Sequence, residues 1–157
     1  MSDFNAYADN GGTCIGIAGT NFAILASDTR HSDGYLINSR NAKRIYPITG
    51  TSLLGTTSFH PDGLRLSKEL KTNALKYKLK TRKELSVDSL AQMTSIKLYS
   101  RRFFPFYSFN IVCGVDPVSG SGRLFSFDPV GSFESECFRS SGNASSIIQP
   151  FLDSQVI

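Results

Sequence analysis

Between Pro61 and Leu79 the spacing of apolar residues changes, and this change narrows the fold more than any other feature of the chain. Before it, apolar and β-branched residues come in short runs at 13–18 (TCIGIA), 22–27 (FAILAS), 44–48 (RIYPI) and 52–58 (SLLGTTS), the habit of strands. Within it, Leu64, Leu66, Leu70, Ala74, Leu75 and Leu79 recur mostly four or five apart with lysines between them. That is an amphipathic helix, with Pro61 suited to its first turn. A second helix follows, with Ser86 as N-cap, Leu90, Met93 and Leu98 on its apolar side, and an end before Pro105. Strand patterns return at 108–114 and 122–127 around the turn 116–120 (DPVSG), and again at 133–138. A last helix starts near 141–143 and contains Pro150, expected to kink or end it. Two successive helices between two sets of strands exclude strict βαβ alternation and predict an α+β, layered fold.

Finer expectations follow. The runs 13–18 and 22–27, separated by Gly19-Thr20-Asn21, predict a hairpin, and their nearly continuous apolar character predicts cover on both faces. The Ser-, Asp- and Gly-rich stretch 29–34 reads as a loop. Gly55 inside 52–58 predicts a close approach by a neighbour.

One domain is expected over 1–157, with 1–10 as an N-terminal extension; 40% hydrophobic and 19% charged residues suit a packed core. Cys14, Cys113 and Cys137 form no CxxC pair and read as buried free thiols of a reducing compartment. With His31 and His60 the only histidines, a zinc site has few ligands to draw on, and no metal or cofactor is expected. No apolar run is long enough for a membrane helix and the first ten residues lack a signal pattern, so no membrane association is expected. The net charge of +4 owes much to Lys68, Lys71, Lys76, Lys78, Lys80, Arg82 and Lys83, read as a solvated helix face and the loop after it. A nucleic-acid module is the competing reading of that segment. With Tyr77 its sole aromatic, stacking is poor and no nucleic-acid partner is expected. GxxxxGK[ST], HExxH and GxSxG patterns are absent.

Several ordered segments resemble proteasome core β-subunits, of the non-catalytic β6 type. Gly11-Gly12-Thr13 followed by Ala26-Ser27-Asp28-Thr29-Arg30 resembles that family's opening hairpin. The stretches 100–107 (SRRFFPFY), 125–132 (FSFDPVGS) and 149–156 (QPFLDSQV) resemble its later segments. The resemblance implies the four-layer αββα sandwich of N-terminal-nucleophile hydrolases. It also implies that the chain lacks the C-terminal part, because family members continue past this point with a further helix and closing strands that complete a sheet.

Active members of the family carry an N-terminal threonine, an aspartate sixteen residues on and a lysine sixteen further; the hydroxyl attacks and charge tunes it. On that spacing Asp28 is retained, Gly12 stands at the nucleophile position and Arg44 at the lysine position. Glycine has no hydroxyl, and arginine is bulkier and does not deprotonate. The resemblance therefore implies no catalytic residue. Asp28 then reads as a turn cap or a partner of Arg30. The alternative is a threonine hydrolase processed to expose Thr13, one residue out of register, so that its hydroxyl would face away from Asp28.

The resemblance further implies a structural subunit of a β ring in ubiquitin-dependent protein degradation, in cytoplasm and nucleus. Its partners would be other α and β subunits, and unfolded protein substrates would pass through the barrel. Arg101, Arg102, Phe103, Phe104, Phe106 and Tyr107 are candidate anchors for ring contacts, or plain core. Asp116, in Gly114-Val115-Asp116, corresponds to an acidic residue that borders the substrate pocket of the neighbouring chymotrypsin-like subunit. Pro117 departs from the family's acidic follower, and the competing reading is a turn aspartate.

Overall fold

The computed structural model describes residues 5–155. Among them the order of elements is β1 (Thr13–Ala18), β2 (Ala23–Ser27), β3 (His31–Asp33), β4 (Leu36–Ser39), β5 (Ile45–Pro47), β6 (Ser52–Ser58), α1 (His60–Thr81), α2 (Val87–Tyr99), β7 (Ser108–Val115), β8 (Gly122–Phe127), β9 (Phe133–Glu136), β10 (Phe138–Gly142) and α3 (Ser145–Gln155). Antiparallel pairing joins β5-β6-β7-β8-β9 into one sheet and β10-β1-β2 into another, with β3-β4 a separate ribbon. α1 and α2 pack on the five-stranded sheet, whose other face meets β1 and β2, and α3 packs on β10. The layers run α, β, β, α, as expected of the N-terminal-nucleophile sandwich.

The main core lies between the helix pair and the five-stranded sheet. Leu66, Leu70 and Ala74 of α1 and Val87, Leu90, Ala91 and Leu98 of α2 face Leu54, Val112, Phe125 and Phe127. Each fully buried leucine stabilises by roughly 2 kcal/mol. A smaller core of Cys14, Ile111, Cys113 and Leu124 joins the two sheets. There Gly55 admits the other sheet closely: an added Cβ would sit 3.1 Å from Leu25 and 3.3 Å from Cys14. Burial pushes the Cys14 thiol up to about 12 and that of Cys113 up to about 11, so both stay protonated.

The structure corrects several expectations. Cover on both faces belongs to β6 and β7, which lie between a helix layer and a sheet, whereas β2 alternates and leaves Ile24 exposed. Residues 29–34 are not a plain loop: β3 and β4 form a hairpin whose turn at Gly34 has φ +54°. The single strand expected at 133–138 is two. The chain leaves β8 at Glu136, and Ala18 N–H donates to the Cys137 carbonyl at 2.7 Å as β10 joins β1 in the other sheet. Cys137, expected buried, is exposed at that crossing. The last helix starts at Ser145, since Ser141 and Gly142 belong to β10. Pro150 does not end α3, which continues to Gln155. Gln149 Oε1 accepts from Ser140 N–H at 2.8 Å and Leu152 is buried, so contacts with β10 hold the helix through the proline. Val156, the end of the 149–156 segment, lies outside the described residues.

On α1 the buried face stops at Ala74; Leu75 and Leu79, read with the helix's apolar residues, are exposed because the helix runs on past the sheet. Ser86 caps α2 as expected, accepting from Ser89 N–H at 3.2 Å. The aromatic and arginine segment divides: Phe106 is core, with Arg101 over its ring at 4.4 Å, while Phe103, Phe104 and Tyr107 are exposed.

Candidate functional site

Gly12, Asp28 and Arg44 come together where β1 begins, β2 ends and β5 is about to start. The Arg44 side chain is 1% exposed. Its Nη2 donates to the Arg30 carbonyl at 2.6 Å and to the Asn10 carbonyl at 3.1 Å. Its Nε lies 3.4 Å from Asp28 Oδ1, an ion pair without a hydrogen bond. A buried charge of this kind persists only when carbonyls and a counter-ion replace its water. Asp28 therefore pairs with Arg44 rather than Arg30, and its Oδ1 also accepts from Thr13 N–H at 2.8 Å.

Gly12 is buried with φ +98°, and a Cβ built there would fall inside the Arg44 guanidinium. The arginine fills the volume that a side chain at position 12 would need. Thr13 is turned elsewhere: its Oγ1 accepts from Ala144 N–H at 3.1 Å, just before α3.

The segment before β1 is a strap across this site. The Tyr7 ring packs among Phe59, Phe104 and Tyr107 at centroid distances of 5.9, 5.6 and 5.3 Å, and its hydroxyl donates to the Pro105 carbonyl at 2.8 Å. Asn10 Oδ1 accepts from His60 N–H at 3.0 Å. Asn10 thereby supplies, from a distant part of the chain, the cap that α1 lacks at Phe59. Gly11 offers its carbonyl to Ser58 N–H at 3.2 Å, and Ser58 holds the left-handed φ +72° that only firm surroundings sustain in a non-glycine residue. Of the expected extension 1–10, residues 1–4 lie outside the described residues. Spacing gave no sign of Tyr7 or Asn10, whose partners are up to 98 residues away.

His31 and His60 face each other here with ring centroids 5.0 Å apart. Burial, then the charges of His31 and Arg44, hold the His60 imidazole below its ordinary value, so it stays neutral more readily. Among the described residues no three His, Cys, Asp or Glu side chains group as a metal site, and no helix is long and apolar enough to cross a membrane. A polar cleft of about 510 Å³ opens beside Ser58, Asn110 and Ser141. Asp9, Asp128 and Arg139 line it as well, with Arg139 bonded to Glu136.

Asp116 lies apart, in the turn between β7 and β8 at the far end of β1, where Gly122 N–H donates to the Gly19 carbonyl at 3.2 Å. Its Oδ1 accepts from Ser119 N–H at 2.9 Å and Val118 N–H at 2.8 Å, and these bonds hold its carboxyl below the usual range.

The layered sandwich is that of a proteasome-type subunit, and the Proteasome subunit family model matches residues 8–157. The chain belongs to that family. It is 45% identical over 153 residues to "Proteasome subunit beta type-1" of Danio rerio, covering 98% of this chain and 64% of the relative. It is 44% identical over 154 residues to "Proteasome subunit beta type-6" of Saccharomyces cerevisiae, covering 98% and 65%. To "Probable proteasome subunit beta type-6" of Schizosaccharomyces pombe it is 43% identical over 156 residues, covering 99% and 69%. The chain thus spans about two thirds of the length of these relatives.

Proposed function

We propose that this chain is a non-cutting, structural subunit of a proteasome β ring, holding place and contacts for neighbouring subunits that cut. Its partners are other α and β subunits, and the substrates are unfolded, ubiquitin-tagged proteins that pass through the barrel. One observation carries the reading: the Arg44 guanidinium occupies the space that a side chain at position 12 would need, so this seat admits no hydroxyl nucleophile. Family membership and the printed names of the type-1 and type-6 relatives support the ring placement. Free cysteines throughout the described residues support a reducing compartment, the cytoplasm and nucleus.

The test uses the tagged full-length chain. A barrel-shaped particle should co-purify with it, holding one copy per β ring. A threonine-directed covalent probe should label other subunits of that particle and leave this chain unmodified. Probe attached to Thr13 would instead make the chain a self-processed hydrolase, and absence of the particle would remove the ring reading.

Asp116 fits a second part in the same assembly, as a fixed negative charge beside a neighbour's substrate pocket. The backbone bonds from Ser119 and Val118 that lower its carboxyl range keep that charge in place at neutral pH. In assembled particles, Asp116→Ala should shift the neighbouring subunit's preference between basic and apolar peptides; an unchanged preference removes this role.

A further inference from the structure

From Leu75 onward, every residue of α1 is exposed, although the helix continues to Thr81. Residues 71–83 carry six cations (Lys71, Lys76, Lys78, Lys80, Arg82 and Lys83) and no acid. The other 144 residues hold eleven basic against thirteen acidic side chains, a net charge of −2, so this one stretch makes the chain basic. Of the six, Lys78 alone is within salt-bridge distance of a carboxylate among the described residues, at 2.8 Å from Glu84.

The cations surround apolar surface. Leu75 is 56% and Leu79 is 73% exposed, four residues apart and so on one side of the helix. Lys71 continues their row, and Lys78 and Arg82 lie in the row beside it. A groove of about 240 Å³ flanks Leu75, with Pro47 and Ile48 on its far wall and Lys71, Lys78 and the Glu84 that pairs with Lys78 among its lining. Tyr77 faces a second groove of about 570 Å³ against Met93 and Ile96 of α2. Two helical turns tied to the rest of the fold mainly by the Lys78–Glu84 pair gain little from propensity alone, and apolar side chains among cations of which five in six lack a carboxylate partner among the described residues suit an acidic, amphipathic surface.

We infer that the C-terminal half of α1 docks an acidic amphipathic helix of another protein chain, with Leu75 and Leu79 meeting its apolar seam and the lysines meeting its carboxylates. A helix is the occupant because a ridge with four-residue spacing beside a groove is the complement of another helix's ridge and groove. Nucleic acid fits less well: leucines would face phosphate, and Tyr77 is the stretch's one aromatic. An anionic bilayer would gain only two leucines and a tyrosine of apolar burial. This docking surface goes beyond the ring-subunit reading and does not depend on it.

The experiment places a photo-crosslinking benzoylphenylalanine at Leu79 of the full-length chain in cells, and identifies the attached peptide by mass spectrometry. The expected product is a peptide with Asp or Glu spaced three or four apart around apolar residues. Lys71→Glu, Lys76→Glu and Lys80→Glu together should reduce its yield by about tenfold. All three positions are exposed, and an unchanged circular-dichroism spectrum and unfolding midpoint establish that the variant is folded. Crosslinks to a neutral or basic peptide, to nucleic acid or to lipid overturn the inference. So does a yield that ignores charge reversal, or no crosslink at all. Co-purification of a barrel is scored separately in the same sample, so the failure of this surface and the failure of the ring reading are told apart.

Discussion

Replacing Gly12 with alanine sets a methyl group where the Arg44 guanidinium lies, so the arginine must leave its two carbonyls and Asp28. Stripping the buried Arg44 charge of its partners in this way costs about 3 kcal/mol or more, and the left-handed φ of +98° adds strain for any residue with a Cβ. Arg44→Ala removes the same bonds and should cost a similar amount. The double variant should lose clearly less than the sum, because the methyl then enters vacated space, and urea unfolding of the four proteins in a double-mutant cycle checks this. Additive losses would mean that the two residues do not share one volume. The resemblance to the family, with its spacing of sixteen, pointed to these positions in the sequence. It could not show that the larger residue fills the smaller one's place, because that depends on which way a long side chain turns among carbonyls from two other segments. Nor could it show Asn10 and Tyr7, whose roles are long-range contacts with no local pattern.

Each long helix begins with a different kind of cap. Ser86 closes α2 from the adjoining residue, whereas α1 borrows Asn10 from the strap fifty residues earlier. Ser86→Ala should cost about 1 kcal/mol and speed hydrogen exchange at the start of α2 only. Asn10→Ala should cost about 1–2 kcal/mol and speed exchange at the first turn of α1 and along the strap together. Exchange mass spectrometry separates the two outcomes, and a change confined to α1 would mean that the strap is held by Tyr7 and Arg44 alone. Legibility at this scale follows the same division between local and distant causes. The starts of α1 and α2, the first hairpin and the β7-β8 turn were readable because capping residues, glycine and spacing act within a few positions. The sheet crossing at Cys137 was not, since FESECF alternates without interruption and only the partners on either side differ. The exposed end of α1 was missed because periodicity shows which face is apolar and not how far the sheet beneath it extends.

Across the whole molecule, acid should weaken the fold in two stages. The first belongs to the strap site, where His60 opens α1 against His31 of the β3-β4 ribbon and within the field of Arg44. Burial leads the depression of His60 and the two neighbouring charges add to it, so the folded protein binds this proton less readily than the unfolded chain, whose histidine titrates near 6.5. Stability therefore falls as pH drops through about 6.5 toward the lower folded value, because there the unfolded state holds more protons. The second stage belongs to the helix layer. Burial alone would raise the Glu69 carboxyl, but hydrogen bonds from Lys97 and Arg65 outweigh it, and Glu84 is lowered by Lys78 and then by Gly50 N–H. Those carboxylates stabilise the fold above their ordinary value of 4.5, and the contribution is lost as pH falls through the depressed folded values. His60→Gln, which keeps the backbone N–H that Asn10 caps, should abolish the first stage and leave the second. Urea midpoints measured from about pH 7.5 down to about pH 4 test this. A midpoint curve with the same slope near 6.5 in both proteins would place the acid-sensitive group outside the strap site.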